Sequence, residues 1–385
     1  MKASNKQEIR VLTPIILTFF VSGIVAMVGS VSNSVQHDFN LSDSMGSLLA
    51  SAIYIWFLLI AVPTGYLMDK LGHRKTVLVA LLLSCLSMVI PIIHYSYLTM
   101  VISLSLLGIS NTMLQISLNL LVTDVTPKHQ MSSMLTLGQF VGQIPAMLIP
   151  LLAIVAANLF GSWHWVYLLF LVISLLITYF LYKTEVKESG DKDPSGFKDL
   201  FELLKKPIIL FCFGAIICQV GIDVGINVTA PKILIERTGA ESNVANFITS
   251  VYAIVRLGGC LLGAFLLARY SNQKLYLVSV SLLTLGGLAL IFLQTSFLIY
   301  ACIVIMGLGI SNLFAIIFSQ AIEAIPRKKN DISALMIMAL VGGAIFPPIM
   351  GLATKIVGGH QWGALIIVLL CAAFMGVKYK EIKDE

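Results

Sequence analysis

Charged residues are scarce in this sequence. Only 11% of its 385 residues are Asp, Glu, Lys or Arg, whereas 58% are hydrophobic. Soluble domains carry about 25% charged residues, so this composition excludes an ordinary soluble protein and indicates one embedded in the lipid bilayer. The net charge of +6 therefore bears on orientation in a membrane, and we expect no nucleic-acid partner.

Cysteine clusters and catalytic signatures are also missing. The six Cys residues lie apart within apolar runs and form no Cys-x-x-Cys or Cys/His cluster, so neither a zinc site nor a disulfide framework is expected. No phosphate-binding glycine loop or nucleophile triad is present. The sequence therefore predicts neither an enzyme nor an ATP-driven pump, and we expect no catalytic residue, cofactor or metal.

Long apolar runs dominate what is present. A membrane-spanning helix needs about 20 consecutive apolar residues. Twelve such runs lie near residues 11–31, 45–68, 76–94, 98–122, 132–157, 163–182, 207–231, 244–268, 274–294, 296–321, 331–355 and 361–377. We therefore expect an all-α membrane protein with twelve transmembrane helices. The first run lacks a small-residue cleavage site after a short apolar stretch, so no cleavable signal peptide is expected.

The basic residues indicate the orientation. If the N-terminus is cytoplasmic, all but four of the 25 Lys and Arg residues fall in cytoplasmic segments. The four exceptions are Lys232, Arg237 and Lys355 in external segments and Arg256 inside a span. By the positive-inside rule, both termini are expected in the cytoplasm. We expect a multi-pass protein of a bacterial inner membrane.

One long polar stretch divides the predicted spans. Residues 183–206 contain six Lys and six acidic residues, and they separate six spans in 1–182 from six spans in 207–385. The sequence therefore predicts an N-terminal six-helix bundle, a cytoplasmic linker and a C-terminal six-helix bundle. This layout is typical of the major facilitator fold.

The loop after the second span supports that fold. Gly65, Asp69, Gly72, Arg74 and Lys75 match the spacing of the major facilitator loop signature. An ordinary basic turn is the alternative. The resemblance implies a gating role, because in that family the aspartate pairs across the two halves and latches the outward-open state. Three further acidic residues at cytoplasmic helix ends are expected to make gate or loop contacts: Asp124, Glu323 and Asp331.

A closer resemblance runs through most of the chain. Residues 334–358, 311–322, 255–269 and 219–226 resemble spans 11, 10, 8 and 7 of the fucose:proton symporter family, which includes bacterial fucose and glucose/galactose permeases. The resemblance implies import of a sugar or similar small polar solute by alternating access, with H+ as a candidate co-substrate.

Two departures concern proton coupling. Where that family carries an Asn-Asp pair in span 1, this sequence has Gly29-Ser30, and Gln115 replaces a glutamate four residues before Asn119. Two acids that the resemblance implies are therefore missing. The sugar and the coupling route stay open at this point.

Asp223 and Arg256 are the ionisable side chains near the middle of the predicted spans. An ionised carboxylate in hydrocarbon costs about 3 kcal/mol by insertion scales. Asp223 lies sixteen residues beyond Pro207, and Arg256 reaches a similar depth in the next span. A pair is therefore possible, either as a fastening between two helices or as a coupling site in which Asp223 carries a proton. Gly221 and Gly225 are expected to loosen the helix around it.

Neutral amides recur in four spans, and in spans 4 and 5 they lie one helical turn apart. Amides at i and i+4 share one face of a helix and offer donors and acceptors to a polyhydroxylated ligand, although hydrogen bonds between helices are the alternative. Trp56 can stack on a sugar ring. The candidate substrate-binding residues are Trp56, Gln115, Asn119, Gln139, Gln143, Gln219, Asn227 and Asn312.

The sequence favours a monomeric secondary active transporter that imports a sugar or similar small polar solute, with any proton coupling through Asp223. An efflux exchanger of amphipathic drugs is one alternative, and it predicts a large apolar cavity. A second is an organic-anion carrier in which Arg256 binds the carboxylate directly. A membrane receptor that keeps the fold is the third.

Overall fold

The computed structural model describes residues 2–28, 31, 35–36, 38–40, 53, 55–186, 197–377 and 382. All regular elements among these residues are helical, as the sequence predicts. The α-helices are α1 (Lys2–Gly23), α2 (Ala61–Leu71), α3 (His73–Ile93), α4 (Tyr97–Val125), α5 (Met131–Phe160), α6 (Val166–Lys183), α7 (Phe197–Leu204), α8 (Pro207–Thr238), α9 (Ser242–Leu267), α10 (Asn272–Phe292), α11 (Ser296–Ile310), α12 (Leu313–Ala324), α13 (Lys329–Met338), α14 (Gly342–Ile356) and α15 (Trp362–Val377).

Most of these helices have the length and composition of membrane spans. Ten helical stretches of the described residues are long and apolar enough to cross a bilayer, and α15 is a shorter apolar helix. Of the predicted second span, 45–68, residues 45–52 and 54 lie outside the described residues, and the rest leads into α2. Large apolar side chains such as Phe265, Phe292 and Phe297 are exposed, as expected where a helix faces lipid tails.

Internal contacts divide the chain into two compact units. The first unit comprises Met1–Pro127, Gly138–Leu200 and Arg327–Met338, and the second comprises Lys128–Leu137, Phe201–Pro326 and Ala339–Glu385. Lys128–Leu137, from the N-terminal half of the chain, thus belongs to the second unit. Arg327–Met338, from the C-terminal half, belongs to the first unit. The division into bundles at 183–206 stays a prediction.

In the first unit, α3 packs against α4 and α6, while α13 lies against α2 and α4. The start of α4 is set by a capping box. The Ser96 hydroxyl accepts a hydrogen bond from the Thr99 amide at 3.3 Å, and the Thr99 hydroxyl accepts one from the Ser96 amide at 2.9 Å. This exchange satisfies two amides that the first helical turn would leave unpaired. From Asn111 to Val122, α4 is buried apart from Gln115.

In the second unit, α8 packs against α9, α11, α12, α14 and α15. It begins with Pro207, whose missing N–H is not needed in the first turn. It ends at Gly239, which has φ +66° and closes the helix in the left-handed conformation. This long helix places Asp223 in the interior of the unit.

Two spans of the C-terminal half are interrupted. The tenth span breaks at Ser311 and Asn312, between α11 and α12, and the eleventh contains a 3-10 turn at Ala339–Val341, between α13 and α14. Interrupted helices are common near the binding sites of secondary transporters, because unwound turns release backbone groups.

Candidate functional site

Asp223 and Arg256 form an ion pair within the second unit. The Nη1 atom of Arg256 lies 2.8 Å from Oδ2 of Asp223. The other carboxylate oxygen, Oδ1, accepts a hydrogen bond of 2.8 Å from the hydroxyl of Tyr252. Both oxygens of the intramembrane carboxylate are therefore occupied, and its charge is balanced by the arginine. We call Asp223, Tyr252 and Arg256 the carboxylate triad.

The local sequence of α9 brings both partners to the carboxylate. Tyr252 and Arg256 are four residues apart, so they project from the same face of the helix. Gly307 of α11 leaves room for the tyrosine ring, since a Cβ at this position would lie 3.3 Å from Cδ2 of Tyr252. The ring is consequently buried between α9 and α11.

Tyr252 and Arg256, the two donors of the carboxylate triad, differ in how tightly the surrounding residues enclose them. Tyr252 is 1% exposed, whereas the side chain of Arg256 is 24% exposed. The Nε atom of Arg256 is buried and has no hydrogen-bond partner among the described residues. The tyrosine is therefore held by its surroundings, and the arginine is held mainly through its contact with Asp223.

The helix around Asp223 is not loosened, contrary to the expectation from its two flanking glycines. α8 is continuous from Pro207 to Thr238. A Cβ at Gly221 would overlap the ring of Phe346, and a Cβ at Gly225 would overlap the side chain of Met350. These glycines therefore allow α14 to pack closely on α8, and α8 continues as a helix past Asp223.

Three predicted substrate-binding amides lie in the second unit. Gln219 is buried one turn before Asp223, and its Oε1 atom has no hydrogen-bond partner among the described residues. Asn227 is half-buried one turn after Asp223. Asn312 lies at the break of the tenth span against Gly263, with its Oδ1 atom also without a partner in the described part of the chain.

In the first unit, the amides of α4 have different surroundings. The Oδ1 atom of Asn111 accepts a hydrogen bond of 3.1 Å from the Ser22 hydroxyl of α1, as the interhelical alternative predicts. Gln115 is half-buried. Asn119 is completely buried, and neither its Oδ1 nor its Nδ2 atom has a hydrogen-bond partner within the described ranges. Asn111 thus makes a structural hydrogen bond through Oδ1, while its buried Nδ2 atom has no partner among the described residues.

Trp56 lies close to α4. A Cβ at Gly108 would be 3.0 Å from its Cδ1 atom, so the glycine lets the indole lie against the helix. The indole Nε1 atom is buried without a hydrogen-bond partner among the residues described. The Gly29-Ser30 position, where the resemblance implies an Asn-Asp pair, lies outside the described residues.

Gln139 and Gln143 of α5 are half-buried in the first unit. The glycines that precede them have a packing role. A Cβ at Gly138 would lie 2.6 Å from the ring of Phe19, and one at Gly142 would lie 3.2 Å from the backbone oxygen of Phe19. This glycine pair therefore permits α1 to cross α5 closely, and both glutamines remain predicted substrate contacts.

The predicted gating loop joins α2 and α3 in the first unit. Gly72 has φ +86°, a backbone conformation that glycine adopts without strain. Gly65 faces Ala334 and the backbone oxygen of Asn330 on α13. Oδ1 of Asp69 accepts a hydrogen bond of 2.6 Å from Nδ2 of Asn330. The loop aspartate thus contacts a segment that is distant in sequence.

A buried polar group lies beside this loop. Asp124 accepts from Lys329 Nζ at 2.6 Å and contacts His73 Nδ1 at 2.5 Å, and its side chain is 1% exposed. His73 Nε2 lies 2.7 Å from Oδ1 of Asn330. Both ring nitrogens of His73 therefore contact oxygen atoms of neighbouring side chains. Together with Asp69, these four residues form what we call the loop cluster.

The remaining gate residues lie at helix ends. Asp124 contacts His73 and Lys329 in the loop cluster, and its role in gating stays a prediction. Arg74 donates from Nη2 to the backbone oxygen of Tyr182 at 2.6 Å, so it stabilises the C-terminal end of α6, where cations are favourable. Asp331 is buried at the start of α13, and Glu323 is half-buried near the end of α12.

Tyr252, His73 and Asn330 were not singled out by the sequence. One signal was available for Tyr252, because it lies one turn before Arg256 on the same helical face. His73 follows the loop glycine directly but reads as another basic loop residue. Nothing in the sequence points to Asn330, since its partners are more than 250 residues away.

Comparison with known proteins identifies the fold. The sequence profile of the Major Facilitator Superfamily matches residues 15–347 and, in a second alignment, residues 215–381. The chain belongs to the Major Facilitator Superfamily. It is thus a multi-pass membrane protein with twelve transmembrane helices in two six-helix bundles, the architecture of that superfamily.

Individual relatives agree with the resemblance predicted from the sequence. The glucose/galactose transporter of Brucella abortus biovar 1 (strain 9-941) is 22% identical over 395 residues, covering 97% of this chain and 94% of that protein. The same identity and coverage hold for the glucose/galactose transporter of Brucella abortus (strain 2308).

Solved structures show the same fold. A variant of the E. coli fucose:proton symporter FucP has a TM-score of 0.84 at 17% identity, covering 98% of this chain and all of that one. The proton:xylose symporter XylE bound to 6-bromo-6-deoxy-D-glucose has a TM-score of 0.68 at 16% identity, covering 98% of this chain and 95% of that chain. The predicted similarity to fucose and glucose/galactose permeases is confirmed.

Proposed function

We propose that this protein is a monomeric secondary active transporter that imports a sugar, coupled to protons, across a bacterial inner membrane. The observation that carries the proposal is the similarity to a glucose/galactose transporter along 97% of the chain. The structural similarity to two proton-coupled sugar symporters agrees with it. The excess of basic residues in one set of loops supports cytoplasmic termini.

The amide side chains supply the polar contacts for such a ligand. A sugar hydroxyl both donates and accepts hydrogen bonds, and an amide offers both functions without a net charge. In the first unit, Asn119 retains its full hydrogen-bonding capacity for a ligand. In the second unit, Gln219 and Asn312 each retain a buried acceptor. Buried amides of this kind reject an apolar ligand, which disfavours the export of amphipathic drugs.

Asp223 is the proposed proton carrier. While Arg256 contacts it, the two side chains balance each other's charge. When the arginine moves away, the carboxylate loses its compensating charge inside the membrane, and proton binding becomes favourable. An unpaired Arg256 would have supported the organic-anion carrier, and the contact of Arg256 with Asp223 does not supply that support.

The test is Asp223→Asn in proteoliposomes. The amide keeps the size and polarity of the side chain but cannot cycle a proton. We expect the variant to exchange labelled glucose, galactose or fucose in counterflow at a rate near that of the wild type, while accumulation against a gradient is lost. Glu236→Gln is the matched control, because Glu236 lies on the same helix but contacts His360 and the amide of Gln361 at its exposed end.

Two results would contradict the proposal. Undiminished uphill uptake by Asp223→Asn would remove the proton-carrier role. Absence of both counterflow and uptake by the wild-type protein for all three sugars would remove the sugar-transport function. A thermal-shift screen of the purified protein against sugars, sugar acids and amphipathic drugs then identifies the ligand class.

A further inference from the structure

We infer that Tyr252 is a positioning residue for proton coupling: it permanently holds Oδ1 of Asp223, so that the proton binds at Oδ2 after Arg256 leaves. The inference rests on the proposed function and extends it to one atom of the carboxylate. It starts from the geometry of the carboxylate triad, in which each oxygen has one donor from α9 at 2.8 Å.

The difference in burial decides which oxygen is released. Tyr252 is almost fully buried, and its ring lies against Gly307 of α11. It has few rotatable bonds, so its hydroxyl cannot withdraw without a movement of the helices. The partly exposed Arg256 has a long flexible side chain and an unsatisfied Nε atom. Oδ2 is therefore the oxygen that becomes vacant first.

The proton balance at this oxygen is simple. When Arg256 withdraws with its own charge, a proton from water forms an O–H bond at Oδ2, and Asp223 becomes neutral. When Arg256 returns, this proton is released to water, and the ion pair forms again. The tyrosine keeps its own proton throughout, because its hydroxyl acts only as a donor to Oδ1.

The surroundings of the carboxylate contain few other ionisable groups. Cys260 lies one turn beyond Arg256 on α9. The side chains of α14 that face the glycines beside Asp223 are Phe346 and Met350, which do not titrate. The titratable groups on the other helices packed against α8, and at the end of α14, are Tyr300, Cys302, Glu323, Lys355 and Cys371.

The experiment compares Tyr252→Phe with wild type in the pH dependence of proton-driven sugar uptake. A hydrogen bond to a carboxylate favours the ionised form, so its loss makes protonation easier. We expect the pH of half-maximal uptake to rise by about one unit in Tyr252→Phe, with counterflow retained. Tyr276→Phe is the matched control, because this buried tyrosine donates to the backbone oxygen of Met375, and its pH profile should not move.

A second measurement does not depend on transport. In purified Arg256→Met protein, Oδ2 is vacant, and infrared difference spectroscopy follows the protonation of the carboxyl group, which Asp223→Asn identifies by removing its band. Adding Tyr252→Phe should raise the midpoint of this titration by about one pH unit.

The outcomes separate the two proposals. An unchanged midpoint in the infrared titration, or an unchanged pH profile of uptake with normal activity, overturns the role of Tyr252. If Tyr252→Phe and Tyr276→Phe lose stability equally and neither shifts the pH profile of uptake, Tyr252 is only a packing residue. If wild type transports none of the sugars while the midpoint shifts, the proposed function fails and the tyrosine still positions the carboxylate.

Discussion

Replacing Asn119 with leucine should stabilise the ligand-free protein and weaken sugar binding at the same time. Leucine has the same number of non-hydrogen side-chain atoms and a similar shape. The asparagine is completely buried on α4, and its two amide atoms have no hydrogen-bond partner in the described part of the chain. A buried polar group without a partner costs about 1–3 kcal/mol. A bound sugar that hydrogen-bonds to the amide would offset this cost.

The expected gain in the free energy of unfolding is about 2 kcal/mol. For a domain of 150–250 residues, each kcal/mol shifts the melting temperature by about 2–4 °C, so we expect a rise of roughly 4–8 °C in detergent without sugar. The loss of two hydrogen bonds to a sugar should weaken binding by about tenfold or more. Melting curves with and without sugar, together with counterflow, measure both effects.

Asn111→Leu is the matched control, because Asn111 lies two turns earlier on the same face of α4. Its Oδ1 atom accepts from Ser22, whereas its Nδ2 atom has no partner among the described residues. The same substitution therefore removes one satisfied hydrogen bond and should give a lower melting temperature than Asn119→Leu. A melting temperature of Asn119→Leu at or below that of wild type would refute the reasoning, since it would mean that Asn119 has a structural role.

Two further predictions concern the loop cluster and the packing of α8. Asp124→Asn should cost about 3–5 kcal/mol in the free energy of unfolding, because it leaves the buried Lys329 without its counter-charge. Asp69→Asn should leave stability close to that of wild type, since the new amide oxygen still accepts from Asn330, and it should reduce transport. Equal melting temperatures of Asp69→Asn and Asp124→Asn would contradict this contrast. Gly221→Ala should lower the yield of folded protein, because its Cβ overlaps the ring of Phe346. The control Gly258→Ala, which has open space around its Cβ, should keep or slightly raise stability, and similar losses in both would exclude the packing explanation.

Parts of the candidate site followed from local pattern alone. The sequence itself shows an aspartate within a long apolar run and an arginine at the same depth in the next span. It also shows a glycine-rich loop that contains an aspartate. Whether Asp223 pairs with Arg256 was open from the sequence, and the 2.8 Å distance between Arg256 Nη1 and Asp223 Oδ2 decided it. The role of the flanking glycines was predicted wrongly, since the sequence shows a missing side chain but not the helix that occupies the space.

The sequence by itself determined the helical class, the number of spans and their approximate ends. The physical reason is that lipid cannot satisfy backbone N–H and C=O groups, so each long apolar run must form a helix. Only the tertiary structure decided which faces meet, such as the contact of Tyr252 with Asp223 or of Asn330 with Asp69 and His73. Lipid tails are as apolar as a protein interior, so hydropathy does not distinguish a face that contacts lipid from one that contacts another helix. That distinction depends on shape and on polar groups that lie far apart in the sequence.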